Sequence, residues 1–163
     1  MNERNLRVLE FPKIVNRLSA LAVSDPGKAM CLSLVPSGDP ATVEKWQRQT
    51  DEAGAVRAYV GSSPIQYFTD VSPYLKIAEA GGTLSPRALL DVAELLKAAR
   101  LTRAAIVTDR EDTPLLTELA SRLSYNRELE EQIFNAILSE NEIADRASPE
   151  LYEIRRHIRL IND

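Results

Sequence analysis

Few residues in this chain are suited to chemistry, and each set lacks a companion that its chemistry needs. Gly27-Lys28 is the one glycine–lysine pair. A phosphate-binding loop of the form G-x-x-x-x-G-K-[ST] wraps phosphate in backbone amides and places a hydroxyl on magnesium. Here Ala22 stands at the upstream glycine position and Ala29 at the hydroxyl position, so the pair reads as a turn that opens a helix. His157 is the sole histidine and lies among Arg155, Arg156 and Arg159. Those cations disfavour an imidazolium, so His157 reads as a solvated surface residue rather than the base of a triad. The acidic run Glu128, Glu130, Glu131 reads as an exposed face complementing the positive end of its helix, not as a metal site. Cys31, next to Leu32, reads as packing, because no neighbour would activate a thiolate.

Two groups of cations remain as candidate nucleic-acid contacts. Arg155, Arg156 and Arg159 lie near the end of the chain, and Lys97, Arg100 and Arg103 on a long helical segment. Three- and four-residue spacing lets each set line one side of a helix. Phosphate contact needs only positive charge within reach, so such patches carry little specificity. Glu150, Glu153 and Asp163 stand close enough in sequence to offset the three C-terminal arginines.

The elements that must position these residues read as helices. Five pairs of a small polar residue and proline read as helix starts: Asp39-Pro40, Ser72-Pro73, Ser85-Pro86, Thr113-Pro114 and Ser148-Pro149. A capping oxygen satisfies free amides at a helix start, and proline in the first turn loses nothing by lacking an N–H. Ser24-Asp25-Pro26 is a looser sixth case. Apolar residues recur at helical spacing in Phe11, Ile14, Leu18, Leu21 and in Val43, Trp46, Thr50, Ala53, Val60. Leu89, Val92, Leu96, Ala99 mark a long helix from about Pro86 to Val107. Leu115, Leu116, Leu119, Leu123 and the shorter Leu129, Ile133, Ile137 mark two more. Gly81-Gly82 ends the helix begun near Ser72, since glycine accepts the left-handed exit conformation. The best strand candidate surrounds Ile143-Ala144, and no long alternating run supports a sheet core. The fold class expected is all-α.

The last helix has a different pattern. Leu151, Ile154, Ile158 and Ile161 follow spacings of three, four and three, the narrow seam of a coiled coil rather than a broad core-facing stripe. Such a seam requires a cover: the core near its root, a returning helix, or a second copy.

Composition bounds the remaining possibilities. The 163 residues are 44% hydrophobic and 27% charged, with a net charge of −4. That is a globular balance, and it opposes a dedicated nucleic-acid domain, which is usually strongly basic. A single cysteine excludes an internal disulfide and a cysteine-rich zinc site. The N-terminus lacks the apolar core of a signal peptide, and no stretch approaches the roughly 18 apolar residues of a membrane span. The cytoplasm is the expected location, with no membrane partner.

Read in order, these segments resemble a known family. Leu9-Glu10-Phe11-Pro12-Lys13-Ile14, then Leu18, Leu21-Ala22-Val23-Ser24 and Gly27-Lys28, resemble the opening of the second bacterial MutS family, the MutS-like ATPases that lack a mismatch-recognition domain. Thr50-Asp51-Glu52-Ala53, Asp70-Val71, Leu75-Lys76, Ala78-Glu79 and Gly81-Gly82-Thr83-Leu84-Ser85-Pro86 with Leu89-Leu90-Asp91 continue the likeness. Ile143-Ala144-Asp145 and Ala147-Ser148-Pro149-Glu150-Leu151, running into Ile154-Arg155-Arg156, form its most specific block. The chain departs from the pattern at Asp25-Pro26, where a bulkier residue more often follows the proline.

The resemblance implies a helical MutS-type core region over residues 1–147 and the root of a long lever helix over 148–163. In the family an ATPase domain, using ATP and magnesium, and usually a C-terminal Smr-type endonuclease domain follow. The parent is expected to act as a homodimeric clamp on branched DNA, suppressing recombination, or on collided ribosomes. No catalytic, cofactor-binding or metal-ligating residue carries over to this chain, so its expected role is non-catalytic. The rival reading is a self-contained helical adaptor that binds a protein partner through the Leu151–Ile161 seam.

Overall fold

The computed structural model describes residues 3–162. Helix dominates it, and the described strands are the two of one short hairpin. The elements are α1 (Glu3–Val8), α2 (Phe11–Leu21), α3 (Asp25–Leu32), α4 (Pro40–Val60), α5 (Ser72–Glu79), α6 (Pro86–Ile106), α7 (Pro114–Ser121), α8 (Arg127–Ala136), β1 (Ile137–Ser139), β2 (Glu142–Ile143) and α9 (Pro149–Asn162), with a 3-10 turn at Asp145–Ala147 before α9. The chain is all-α in class. It divides into two compact units: one from the chain up to Asp70 with Ala98–Ser124, the other from Val71–Lys97 with Tyr125 onward.

Most helix starts follow the capping chemistry. Gly27 N donates to Ser24 Oγ at 3.2 Å, Thr42 N to Asp39 Oδ2 at 3.0 Å, Ala88 N to Ser85 Oγ at 3.2 Å and Leu151 N to Ser148 Oγ at 3.1 Å. Asn126, which the proline pattern does not mark, caps α8 by accepting from Leu129 N at 3.0 Å. Two of the five pairs work differently. Ser72 is already the first residue of α5, and Val71 holds the cap position. Thr113 sits at the cap of α7 without bonding to it.

In the first unit, α3 packs on α2, and α7 packs on α4. Val15 is the buried position of α2, whereas Ile14, Leu18 and Leu21 are exposed. The buried face of α4 likewise differs from the apolar stripe: Glu52 and Val56 are buried, while Trp46, Thr50, Ala53 and Val60 are exposed. The cause is Glu52, which no hydrophobic count would place inside. Its carboxylate accepts from Leu115 N at 3.2 Å through Oε1 and from Leu116 N at 2.8 Å through Oε2. Those are free amide groups of α7's first turn, so Glu52 supplies from α4 the cap that Thr113 does not. Elsewhere in this unit Arg110 pairs with Asp112 and lies over the Tyr59 ring, 4.7 Å from its centroid.

The second unit centres on Ala93, Ile133 and Ile137, with Leu89, Leu90, Val92, Phe134 and Ala136 packed against them. Tyr74 Oη donates to Asp91 Oδ2 at 3.1 Å, and Arg87 Nε lies 3.2 Å from Asp91 Oδ1. After α5, Gly81 takes a left-handed φ of 76°, and Gly82 N returns to Ile77 O at 2.9 Å. Ile137, read as the end of a helical stripe, is instead the first residue of β1 and pairs with Ile143 in the antiparallel hairpin. Glu130 is buried rather than part of an exposed acidic face. Its neighbour Glu131 pairs with Arg127 at 2.7 Å, and Gln132 donates to Glu128 at 3.2 Å.

Candidate functional site

The site is built at the corner where β2 passes through the 3-10 turn into α9. Ala144 is buried, and its N–H donates to Ala136 O at 2.9 Å, pinning the end of the hairpin to the end of α8. The chain then makes a single 3-10 turn. Extended backbone at Ser148 aims its hydroxyl at Leu151 N and starts α9. Asp145 therefore stands beside the first turns of α9, on the side that presents Arg155 and Arg159.

Those two arginines converge on Asp145. Arg155 Nη1 donates to Asp145 Oδ1 at 2.5 Å and to Ile143 O at 2.7 Å. Arg159 donates through Nη2 to Asp145 Oδ2. Each carboxylate oxygen thus receives its own guanidinium, and Arg155 also ties α9 to the strand. The Arg155 contact first, and then that of Arg159, holds the Asp145 carboxyl below its ordinary value of 3.8.

The third arginine differs. Arg156 reaches Glu153 at 3.4 Å, and both side chains are exposed. Glu150 is held below its ordinary pKa by its own backbone N–H and by Ser148. The offset expected from Glu150, Glu153 and Asp163 is therefore redistributed: Asp145 takes two arginines, Glu153 takes one, and Asp163 lies outside the described residues. His157 is exposed.

The long-helix cations do not form a bare stripe. Lys97 Nζ lies 3.6 Å from Glu94 and 5.5 Å from the Phe134 ring centroid. Arg103 Nη1 donates to Leu123 O at 3.0 Å, and Arg100 is half-buried and engaged. Near Gly27, Lys28 pairs with Asp25 at 3.2 Å inside the first turn of α3.

The seam residues share one line on α9 but differ in cover. Leu151 is half-buried, while Ile154, Ile158 and Ile161 are 56%, 52% and 82% exposed. The core covers the seam only at its root, and α9 remains helical past that point. Leu160, off the seam, is exposed as well.

Asp145 is the residue of this corner that sequence reading misses. Its partners lie ten and fourteen residues ahead, beyond the three- and four-residue spacings that link side chains on one helix. A single acid standing three residues before a Ser-Pro helix start was the available signal. Among the described residues no group of three or more histidine, cysteine or carboxylate side chains gathers to hold a metal. Among them, too, no helix is long and apolar enough to cross a membrane.

No family model matches the chain. Individual proteins do. It is 41% identical over 162 residues to "Endonuclease MutS2" of Acetivibrio thermocellus and 42% over 161 residues to that of Ruminiclostridium cellulolyticum, each alignment covering 98% of this chain. "Endonuclease MutS2" of Alkaliphilus oremlandii is 38% identical over 165 residues, covering 100% of the chain. The chain spans about a fifth of the length of these curated relatives, 20% to 21% of each. Similarity that spans nearly the whole chain makes it homologous to an N-terminal part of MutS2, the second bacterial MutS family.

Proposed function

We propose that this chain is a non-catalytic helical part of a cytoplasmic MutS2-type ATPase clamp acting on branched DNA or collided ribosomes. In this reading residues 1–147 are the core region and residues 148–163 the root of its lever. ATP and magnesium belong to other parts of the parent, which is a homodimer, and so does the endonuclease chemistry for which the relatives are named. The role of this part is mechanical. Packed helices carry the nucleotide state of a bistable ATPase dimer to a nucleic-acid clamp.

The observation that carries the reading is the corner of α9. A lever needs a root that does not swivel, and Arg155 joins α9 to Ile143 O and Asp145 in one grip. A lever also needs a further helix to pair with, and Ile154, Ile158 and Ile161 offer an uncovered line for one. The acidic net charge suits a helical frame better than a nucleic-acid-binding domain.

The test is the native reading frame and its behaviour. The frame should continue for several hundred residues and include a phosphate-binding loop. The intact protein should hydrolyse ATP and bind branched DNA or ribosomes. A frame that stops near Asp163 would overturn the reading and leave the adaptor, whose partner would then occupy the α9 seam.

A further inference from the structure

We infer that Arg155 and Arg159 form an oxyanion site for a nucleic-acid phosphodiester, and that Asp145 occupies it in cis and masks it. This rests on the nucleic-acid target proposed above and states how α9 would engage it. Three observations carry it. The two guanidiniums, one helical turn apart, deliver one donor group to each oxygen of a single carboxylate. A phosphodiester presents the same feature, two unbridged oxygens sharing a negative charge, and planar guanidinium groups suit it. All three side chains are within reach of solvent, at 36% exposure for Arg155, 40% for Asp145 and 64% for Arg159. An external anion can therefore approach the arginines without unfolding the corner. Finally, exposed Arg156, three residues before Arg159, lies next to the pair, so a strand entering the site meets more positive charge.

The mask follows from tethering. A carboxylate ten residues away on the same chain is present at high effective concentration and competes with any free phosphate. An approaching backbone must displace Asp145 before both arginines turn to it. Arg155 keeps Ile143 O as a second acceptor, so α9 stays attached to the hairpin during the exchange.

The experiment measures binding of a fluorescein-labelled DNA duplex against salt, with inorganic phosphate as competitor, for the full chain and four variants. These are Asp145→Asn, Glu153→Gln, Arg155→Gln/Arg159→Gln and the Asp145→Asn/Arg155→Gln/Arg159→Gln combination. Each phosphate contact adds about 0.9 to the slope of log affinity against log salt. Opening this one phosphodiester site should therefore steepen the Asp145→Asn slope by about 0.9. The combination should lose that gain, the arginine pair alone should change little in the parent chain, and Glu153→Gln should give no such gain. Inorganic phosphate should compete weakly, because it lacks the neighbouring contacts of a strand; competition as strong as that of unlabelled duplex would assign the site to free phosphate and overturn the proposal. If Asp145→Asn disturbs α9, the carboxyl resonance of Asp145 in the unmodified chain decides: saturating DNA should return its pKa toward 3.8, and an unmoved value would overturn the mask. Equal gains from Asp145→Asn and Glu153→Gln would reduce the effect to general charge and also overturn it. An arginine-pair loss equal with and without Asp145 would overturn the mask but leave nucleic-acid contact at α9. No response of binding to any arginine substitution would remove α9 from nucleic-acid contact altogether.

Discussion

Glu52 is a carboxylate on the buried face of α4, and its position follows from α7, which begins with free amide groups and a threonine that does not bond to them. Thr113 is 0% exposed, and its hydroxyl has no hydrogen-bond partner among the described residues. The two residues therefore invert the roles their types suggest. Glu52→Ala should cost about 1.5–3 kcal/mol, the range for losing a hydrogen bond to a charged group. Thr113→Val should stabilise by about 1 kcal/mol, since it replaces a buried, unbonded hydroxyl by a methyl of similar shape. Urea unfolding midpoints for the two variants should move in opposite directions, and a large loss from Thr113→Val would return the cap to Thr113. Asp145 gives a second prediction at this scale. Its carboxyl lies below 3.8 in the folded chain because of Arg155 and Arg159. A depressed folded value means that the pairing contributes stability above the unfolded value and loses it as pH falls through the folded one. The corner should therefore hold at neutral pH and loosen only below 3.8. The carboxyl titration should shift upward in Arg155→Gln, and an unshifted midpoint would show that Arg155 does not hold Asp145.

Element by element, what could be read from sequence depended on whether the cause was local. Ser24, Asp39, Ser85 and Ser148 bond amides three residues ahead, so each start was readable from a few letters. Gly81, in the left-handed conformation after α5, was readable for the same reason. The α4 face was not, because its deciding contact reaches from Glu52 to Leu115 and Leu116, more than sixty positions along the chain. Ile137 reads as helical from spacing alone because one isoleucine fits either element; its pairing with Ile143 decides for the strand. At α9 the seam was legible as a spacing, and the arginines as a set, but the acid that divides them was not. The exposed line at Ile154, Ile158 and Ile161 leads to the prediction for this element. An apolar side chain removed from water gains about 1.5–3 kcal/mol when fully buried, so three in line favour pairing with another helix. In the isolated chain the available helix is a second α9. Light scattering should show association rising with concentration, absent from a chain ending at Ala147 and from Ile154→Lys/Ile158→Lys. A chain that stays monomeric at every concentration would remove the seam as a pairing surface.

At the scale of the whole molecule, charge and catalytic inventory set the expectations. The chain carries 24 acidic side chains against 20 Lys and Arg, for a net charge of −4. Gly27-Lys28, its one glycine–lysine pair, lies inside a capped helix start with Lys28 turned to Asp25, which is not the geometry of a phosphate cradle. Incubated alone with ATP and with branched DNA, the chain should match a buffer blank; turnover that survives repeated purification would overturn the non-catalytic reading. Binding to nucleic acid should be of one kind only. The net charge repels a polyanion at long range, and that repulsion is screened beyond about 10 Å at 0.1 M salt. What remains are local contacts from a few arginines, two of them held by Asp145. Contacts to phosphate position a protein but carry no base information, which requires side chains that reach base edges. Affinity should therefore be weak at physiological salt, fall steeply as salt rises and be the same for duplexes of different sequence. A branched junction should bind more tightly than a linear duplex only to the extent that it places more phosphates near α9. Competition among linear duplexes of contrasting sequence, repeated across a salt series, measures both properties. A sequence preference that persists at high salt would require base readout by this chain and would refute a mechanical role for it.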